Sequence, residues 1–177
     1  KLILKKNIPL GSGLGGGSAD SAALIRMLNN FLDLKLSKID MINLGAEIGS
    51  DIPACIISKP LIAYGRGEKI IELDYKNIYN LLIIYPSINI STKEIFSLIN
   101  IRDYKNKNLV ETKDWIEQKS GIESYDFFKK FNNDLQNIAI SMHPIISDIL
   151  NSLNKKNAIF SAMTGSGSAC FGIFDEK

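Results

Sequence analysis

Histidine and cysteine are almost absent from this 177-residue chain: His143 is the only imidazole, and Cys55 and Cys170 are the only thiols. No C-x-x-C pair and no second histidine exist to complete a zinc site. The two thiols lie far apart, a usage that fits a reducing compartment. No apolar run reaches the length of a membrane span, and no signal peptide is visible. Charge of one sign is not in excess either. Twenty-one basic residues face 19 acidic ones, for a net charge of +2. That balance creates no strong field toward nucleic acid or a membrane surface. The expectation is a cytoplasmic protein with no nucleic-acid and no membrane partner. With 45% hydrophobic and 23% charged residues, the chain has the material for one domain, or one domain plus a small lobe.

The pattern along the chain is mixed. Leu2 to Lys6 reads as a strand closed by Ile8-Pro9, and because the chain starts there, at Lys1 and not at Met, the natural N-terminus is expected upstream. Gly11 to Gly17 holds five glycines in seven positions. From Ser18, a reasonable N-cap with Asp20 in its first turn, apolar residues recur at helical spacing: Ala19, Ala22, Ala23, Ile25, Leu28, Phe31 and Leu32. Ser37 caps a second helix to about Ile48, broken by Gly49-Ser50-Asp51-Ile52-Pro53. Leu61–Tyr64 and Lys69–Leu73 flank Gly65-Arg66-Gly67-Glu68 as a hairpin. Leu81–Tyr85 reads as a buried strand, and Thr92 as the cap of a helix to about Ile99. Arg102–Asn108 reads as a loop, and Trp115–Lys119 and Tyr125–Phe131 as helical. Helices over Asn133–Met142 and Pro144–Leu153 precede two strands, Ala158–Ala162 and Ala169–Phe174, joined by Thr164–Ser168. Hairpin-linked strands alternating with helix pairs predict an α+β fold with antiparallel sheet.

Pro9-Leu10-Gly11-Ser12-Gly13-Leu14-Gly15-Gly16-Gly17-Ser18-Ala19 is the most informative segment. Glycines let the backbone approach a ligand, and a loop that runs into a helix start aims unpaired N–H groups at one point. That point suits a phosphate. A plain turn needs one or two glycines. A Walker loop is excluded because no Gly-Lys-Ser/Thr closes it. A dinucleotide fingerprint from Gly11, Gly13 and Gly16 lacks its acidic partner on a following strand.

The string Pro9–Asp20 resembles the second motif of the GHMP kinases (galacto-, homoserine, mevalonate and phosphomevalonate kinases). Gly15-Gly16-Gly17-Ser18 is similar to one branch of them, which phosphorylates the 2-hydroxyl of a diphosphocytidyl-methylerythritol. The resemblance implies a two-lobe α+β fold, with an S5 domain 2-like N-terminal lobe and a ferredoxin-like C-terminal lobe. It places residues 1–77 in the N-terminal ATP-binding domain and residues 78–177 in the C-terminal domain. It also implies ATP and Mg2+, with Pro9–Ala19 around the phosphates and Ser18 as a metal contact. The partners it implies are ATP and a small-molecule substrate, in a monomer or weak homodimer.

Gly49-Ser50-Asp51-Ile52-Pro53 resembles the family segment whose aspartate is the catalytic base; a cap for the next turn is the plain reading of Asp51. The stretch from Ile88 to Phe96 resembles the family's substrate-pocket border, which assigns Thr92 and Phe96 to it; Lys93 stands where the family often has proline. Phe96 as a core residue is an equal reading. Asn133-Asp134-Leu135-Gln136 is similar to the family's N-D-L motif, with Asp134 as a structural or capping residue. Thr164-Gly165-Ser166-Gly167-Ser168 resembles the third motif, which implies a second backbone cradle closing the site beside the phosphate loop. His143 reads as structural, Cys55 and Cys170 as small buried residues, and Lys5 and Lys6 as solvated. The resemblance runs from Ile8 to Phe174. It implies a preceding portion with the first motif, a catalytic lysine and the cytidine-binding residues, and a final helix and strand beyond Phe174, so a fragment is expected. Two alternatives stand beside this reading: another small-molecule kinase of the same superfamily, and a non-catalytic nucleotide-binding module.

Overall fold

The computed structural model describes residues 1–73, 78–99 and 132–175. The readings for residues 102–108, 115–119 and 125–131 lie outside them. Two compact units divide the chain: Lys1–Leu14 with Asn77–Lys177, and Gly15–Lys76.

The unit Gly15–Lys76 carries three helices and a hairpin: α1 Gly16–Phe31, α2 Lys38–Ile48, α3 Ile52–Ile57, β1 Leu61–Tyr64 and β2 Lys69–Glu72. Its core is Ala22, Ile25, Ile52 and Ile56, with Met41, Ile42 and Cys55 packed around them. The first connection is tied by one side chain. Asn29 Oδ1 accepts from the Leu36 amide at 2.9 Å, and Asn29 Nδ2 donates back to the Leu36 carbonyl at 3.2 Å. α2 begins with the expected Ser37 cap, as a full capping box with Asp40. The Ser37→Ala variant is expected to lose about 1 kcal/mol of stability, read as a lower urea midpoint at unchanged slope.

Here the structure corrects several expectations. α1 starts at Gly16 with Gly15 as N-cap in the left-handed region (φ 68°), so Ser18 lies inside the first turn and Asp20 beyond it. Gly49–Pro53 does not only break a helix. Asp51 is the N-cap of α3, with proline in its first turn, where the missing N–H costs nothing. The hairpin was expected, and Leu61 pairs with Glu72 through to Tyr64 with Lys69, antiparallel. Cys55 is only half-buried.

The other unit holds β3 Asn80–Ile84, α4 Thr92–Ser97, α5 Gln136–Met142, α6 Ile145–Lys155, β4 Phe160–Met163 and β5 Cys170–Phe174. Its sheet is antiparallel throughout, in the order β3-β5-β4. α6 lays Ile146, Leu150 and Leu153 at helical spacing into a core shared with Ile90, Ile95, Ala139, Met163 and Cys170. Asp148 in its first turn and Lys155 in its last match the helix dipole.

Five readings change in this unit. Leu2–Lys6 forms no strand. A strand exists by its ladder, and Leu2, Ile3 and Leu4 find none and stay exposed. β3 is a strand but not a buried one: Leu81 is 57% and Ile83 51% exposed, because no described residue covers the faces of this strand there. α4 is capped by Ser91, whose Oγ accepts from the Glu94 amide, and not by Thr92. α5 begins at Gln136, three residues after Asn133, and β4 at Phe160 instead of Ala158. Cys170 is fully buried as expected, and burial pushes its thiol up to about 11, which keeps it protonated and unreactive.

Candidate active site

The start of α1 has the chemistry of an anion site. Its N-cap Gly15 makes no side-chain capping bond, so the first helical N–H groups have no intrahelical acceptor. A Cβ built on Gly15 or on Gly17 would meet nothing within 4 Å. The backbone there is open on the side where a side chain would otherwise stand. With the dipole of a sixteen-residue helix behind it, this surface fits a phosphate.

The same unit holds Asp51. Its carboxylate is exposed and makes no capping bond, although the residue occupies the N-cap of α3. Ser50 Oγ approaches Oδ1 at 3.5 Å. α3 is anchored from α1: Arg26 Nη1 donates to the Cys55 and Ile56 carbonyls at 2.8 and 3.2 Å. These are last-turn carbonyls that the helix itself leaves unpaired. Arg26 therefore ties the short helix headed by Asp51 to the long helix headed by Gly16. The hairpin turn closes on the other side of Asp51, since a Cβ on Gly67 (φ 99°) would collide with the Ser50 carbonyl oxygen. The Cys55 thiol is raised, first by burial and then by the Asp51 charge, with Arg26 pulling the other way.

The other unit brings the remaining glycine-rich residues together. The Thr164–Ser168 loop seats directly on Ser12 and Gly13. The Ala169 amide donates to the Ser12 carbonyl at 2.9 Å, and Thr164 Oγ1 donates to the Gly13 carbonyl at 3.0 Å. A Cβ on Gly13 would strike the Thr164 carbonyl oxygen and sit 2.8 Å from that of Gly167. Only a glycine permits this approach, and φ of 76° at Gly13 requires one as well. Ser12 is buried, and its Oγ donates to the Pro9 carbonyl at 2.8 Å. Ser168, also buried, donates through Oγ to the Ile88 carbonyl. Thr92 Oγ1 and Ser166 Oγ share a hydrogen bond of 2.9 Å. Thus Gly11–Leu14, Thr164–Ser168 and Thr92 form one connected group. Phe96 is not core: it is 55% exposed on α4.

Two residues of the 133–136 motif hold this group, a role the sequence reading assigned to neither. Asn133 Nδ2 donates to the carbonyls of Met163 (2.8 Å) and Gly165 (2.7 Å), and Gln136 Oε1 accepts from the Met163 amide at 2.9 Å. Their partners lie 27 to 32 residues away, and no local pattern announces such a bond. Among the described residues, no three His, Cys, Asp or Glu side chains gather as a metal cage, and no helix is long and apolar enough to cross a membrane.

Comparison with known proteins agrees with this geometry. The model for the GHMP kinase N-terminal domain matches residues 1–59, and that for the C-terminal domain residues 98–177. A 4-diphosphocytidyl-2-C-methyl-D-erythritol kinase of Caldicellulosiruptor saccharolyticus is 33% identical over 177 residues, all of this chain and 60% of that protein. The enzyme of that name from Pseudothermotoga lettingae is 38% identical over 186 residues, covering 100% of this chain and 63% of its own length. The chain thus spans about 60% of the length of the curated relatives it matches. A crystal structure of 4-(cytidine 5'-diphospho)-2C-methyl-D-erythritol kinase superposes with TM-score 0.73 at 23% identity, over 97% of this chain and 60% of that one. A homoserine kinase from Cytophaga hutchinsonii also gives 0.73, at 19% identity, over 96% of this chain and 58% of its own. The two structures show the fold, which is common to both substrates. With both domain models matched in order and relatives aligned along its whole length, this α+β chain belongs to the GHMP kinase family.

Proposed function

We propose that the protein carrying this chain transfers the γ-phosphoryl group of ATP to the 2-hydroxyl of 4-diphosphocytidyl-2-C-methyl-D-erythritol, giving the 2-phosphate and ADP in the non-mevalonate isoprenoid route. The observation that carries the reading is the pairing, within Gly15–Lys76, of an uncapped helix start with an aspartate whose carboxylate its own helix does not use. Such a pair supplies what phosphoryl transfer asks of a protein: a cradle for phosphate charge and a group to orient the attacking hydroxyl. The choice of acceptor rests on the names of the relatives.

Pro9–Ala19 holds the phosphate chain, with the backbone amides from Gly16 onward offsetting its charge. Mg2+, when bound, would offset charge on the phosphate oxygens, and the Ser18 hydroxyl, in the first turn of α1, would be its protein contact. Asp51 orients the acceptor hydroxyl and takes its proton as the new P–O bond forms and the bond to ADP breaks. Gly165–Ser168 closes over the phosphate loop, and Thr92 and Phe96 border the acceptor. Residues 1–77 form the nucleotide domain and 78–177 the second domain. The protein works in the cytoplasm as a monomer or weak homodimer.

ADP release tests this in the protein with its natural termini, offered the diphosphocytidyl acceptor, homoserine, mevalonate and galactose in parallel. Release with the first alone is expected. Release with another acceptor instead keeps the kinase and refutes the substrate. No release with any of them refutes the reading.

A further inference from the structure

We propose that Asn133 is a positioning residue for nucleotide binding: its carboxamide clamps the Thr164–Ser168 loop where that loop carries Ser12 and Gly13. The inference rests on the reading of Pro9–Ala19 as the phosphate loop.

The carboxamide is used on both sides. Nδ2 donates to the Met163 and Gly165 carbonyls at 2.8 and 2.7 Å, and Oδ1 accepts from the Leu135 amide at 3.0 Å. A carboxamide carries two N–H donors and a carbonyl acceptor, and this arrangement uses both ends. The two clamped carbonyls flank Thr164. From Thr164 the contact passes directly to the glycine loop, through Oγ1 to the Gly13 carbonyl. A second bond closes the base of the loop, from the Thr164 amide to the Ala169 carbonyl at 2.9 Å, and the Ala169 amide holds the Ser12 carbonyl at the same distance. Gly13 has no room for a side chain on this side, because a Cβ there would stand 2.3 Å from the Thr164 carbonyl oxygen. The path from Asn133 to Gly13 therefore consists of side-chain hydrogen bonds to backbone carbonyls, with only the chain from Met163 to Gly165 between them. If Asn133 releases the loop, the carbonyls of Ser12 and Gly13 lose the partners that set the backbone entering α1.

Asn133→Asp has the same shape but turns a carboxylate oxygen onto two carbonyl oxygens. Asn133→Ala removes the clamp without adding charge, and stands in if the first variant fails to fold. In the protein with its natural termini, calorimetric titration with ATP is expected to show the Kd rising about tenfold in either variant, with the KM of the acceptor changed less than about twofold. Thr164→Val is expected to weaken ATP in the same way. The Asn133→Ala, Thr164→Val double variant should lose less than the product of the two single losses, because both act through one loop. Leu150→Ala, a core cavity elsewhere in the same unit, lowers the Tm and leaves the Kd for ATP unchanged. A native Kd in folded Asn133 variants overturns the inference, as does a rise no larger than Leu150→Ala produces. If the unsubstituted protein binds ATP but transfers to no acceptor, the Kd comparison still decides the role of Asn133 while the proposed reaction falls. If it binds no ATP, the phosphate-loop reading fails, and the inference with it.

Discussion

Asp51→Asn should lower kcat by about a hundredfold to ten-thousandfold, the range of a positioned general base, with little change in the KM for ATP. The reason is local. Asparagine keeps the shape and one acceptor oxygen, but it cannot take the proton of the acceptor hydroxyl. The fold should hardly notice. Asp51 is exposed and caps α3 without a side-chain bond, and a surface change of that kind usually stays within about 0.5 kcal/mol. α3 remains anchored by Arg26 at its far end. The prediction is therefore a split: melting temperature and ATP affinity near native, turnover nearly abolished. Steady-state ADP release and a thermal melt on one preparation measure both. A variant within a few fold of native turnover would remove Asp51 from the chemistry.

Gly13→Ala should cost both stability and nucleotide binding. An L-residue at φ 76° is strained, and its Cβ would collide with the Thr164 carbonyl and crowd the amide of Gly167 at 2.9 Å. Backbone strain of this type costs about 1–3 kcal/mol. Relief requires separating the two glycine loops, which breaks the bond from Thr164 Oγ1. Gly17→Ala provides the contrast. Gly17 lies in α1 with open space where its Cβ would stand. Without ATP, alanine there should stabilise the protein by about 0.5–1 kcal/mol through helix propensity. With ATP the added methyl intrudes on the phosphate surface, and affinity should fall. Urea unfolding with and without ATP reads both variants. Equal destabilisation by the two would show that the glycines serve the fold alone.

The elements that were legible are those whose cause is local. The Ser37 box lies within four residues, the 65–68 turn carries its own glycines, and the apolar spacing of α6 needs no partner to be seen. The errors follow from the same distinction. Ser18 is the better cap by side-chain chemistry, yet Gly15 takes the position because it adopts φ 68° without strain. Three glycines at a helix start oppose helix propensity, and the proposed phosphate surface gives them a reason. α3 was hidden because Pro53 reads as a breaker, although the first turn accepts it. Hydropathy identified β3 as a strand but could not tell that its faces lie uncovered. The motif at 133–136 drew the eye to Asp134, while the bonds that hold the 164–168 loop come from Asn133 and Gln136. Tertiary partners at that distance are invisible to a reading of neighbours.

Phosphorus NMR of the product tests the central claim most directly. The protein with its natural termini is incubated with ATP, Mg2+ and 4-diphosphocytidyl-2-C-methyl-D-erythritol, and the acceptor is recovered. The account predicts a new phosphomonoester on the 2-oxygen, an intact diphosphate, and one ADP for each ester formed. An unmodified acceptor, or ADP appearing with no new ester, would contradict it.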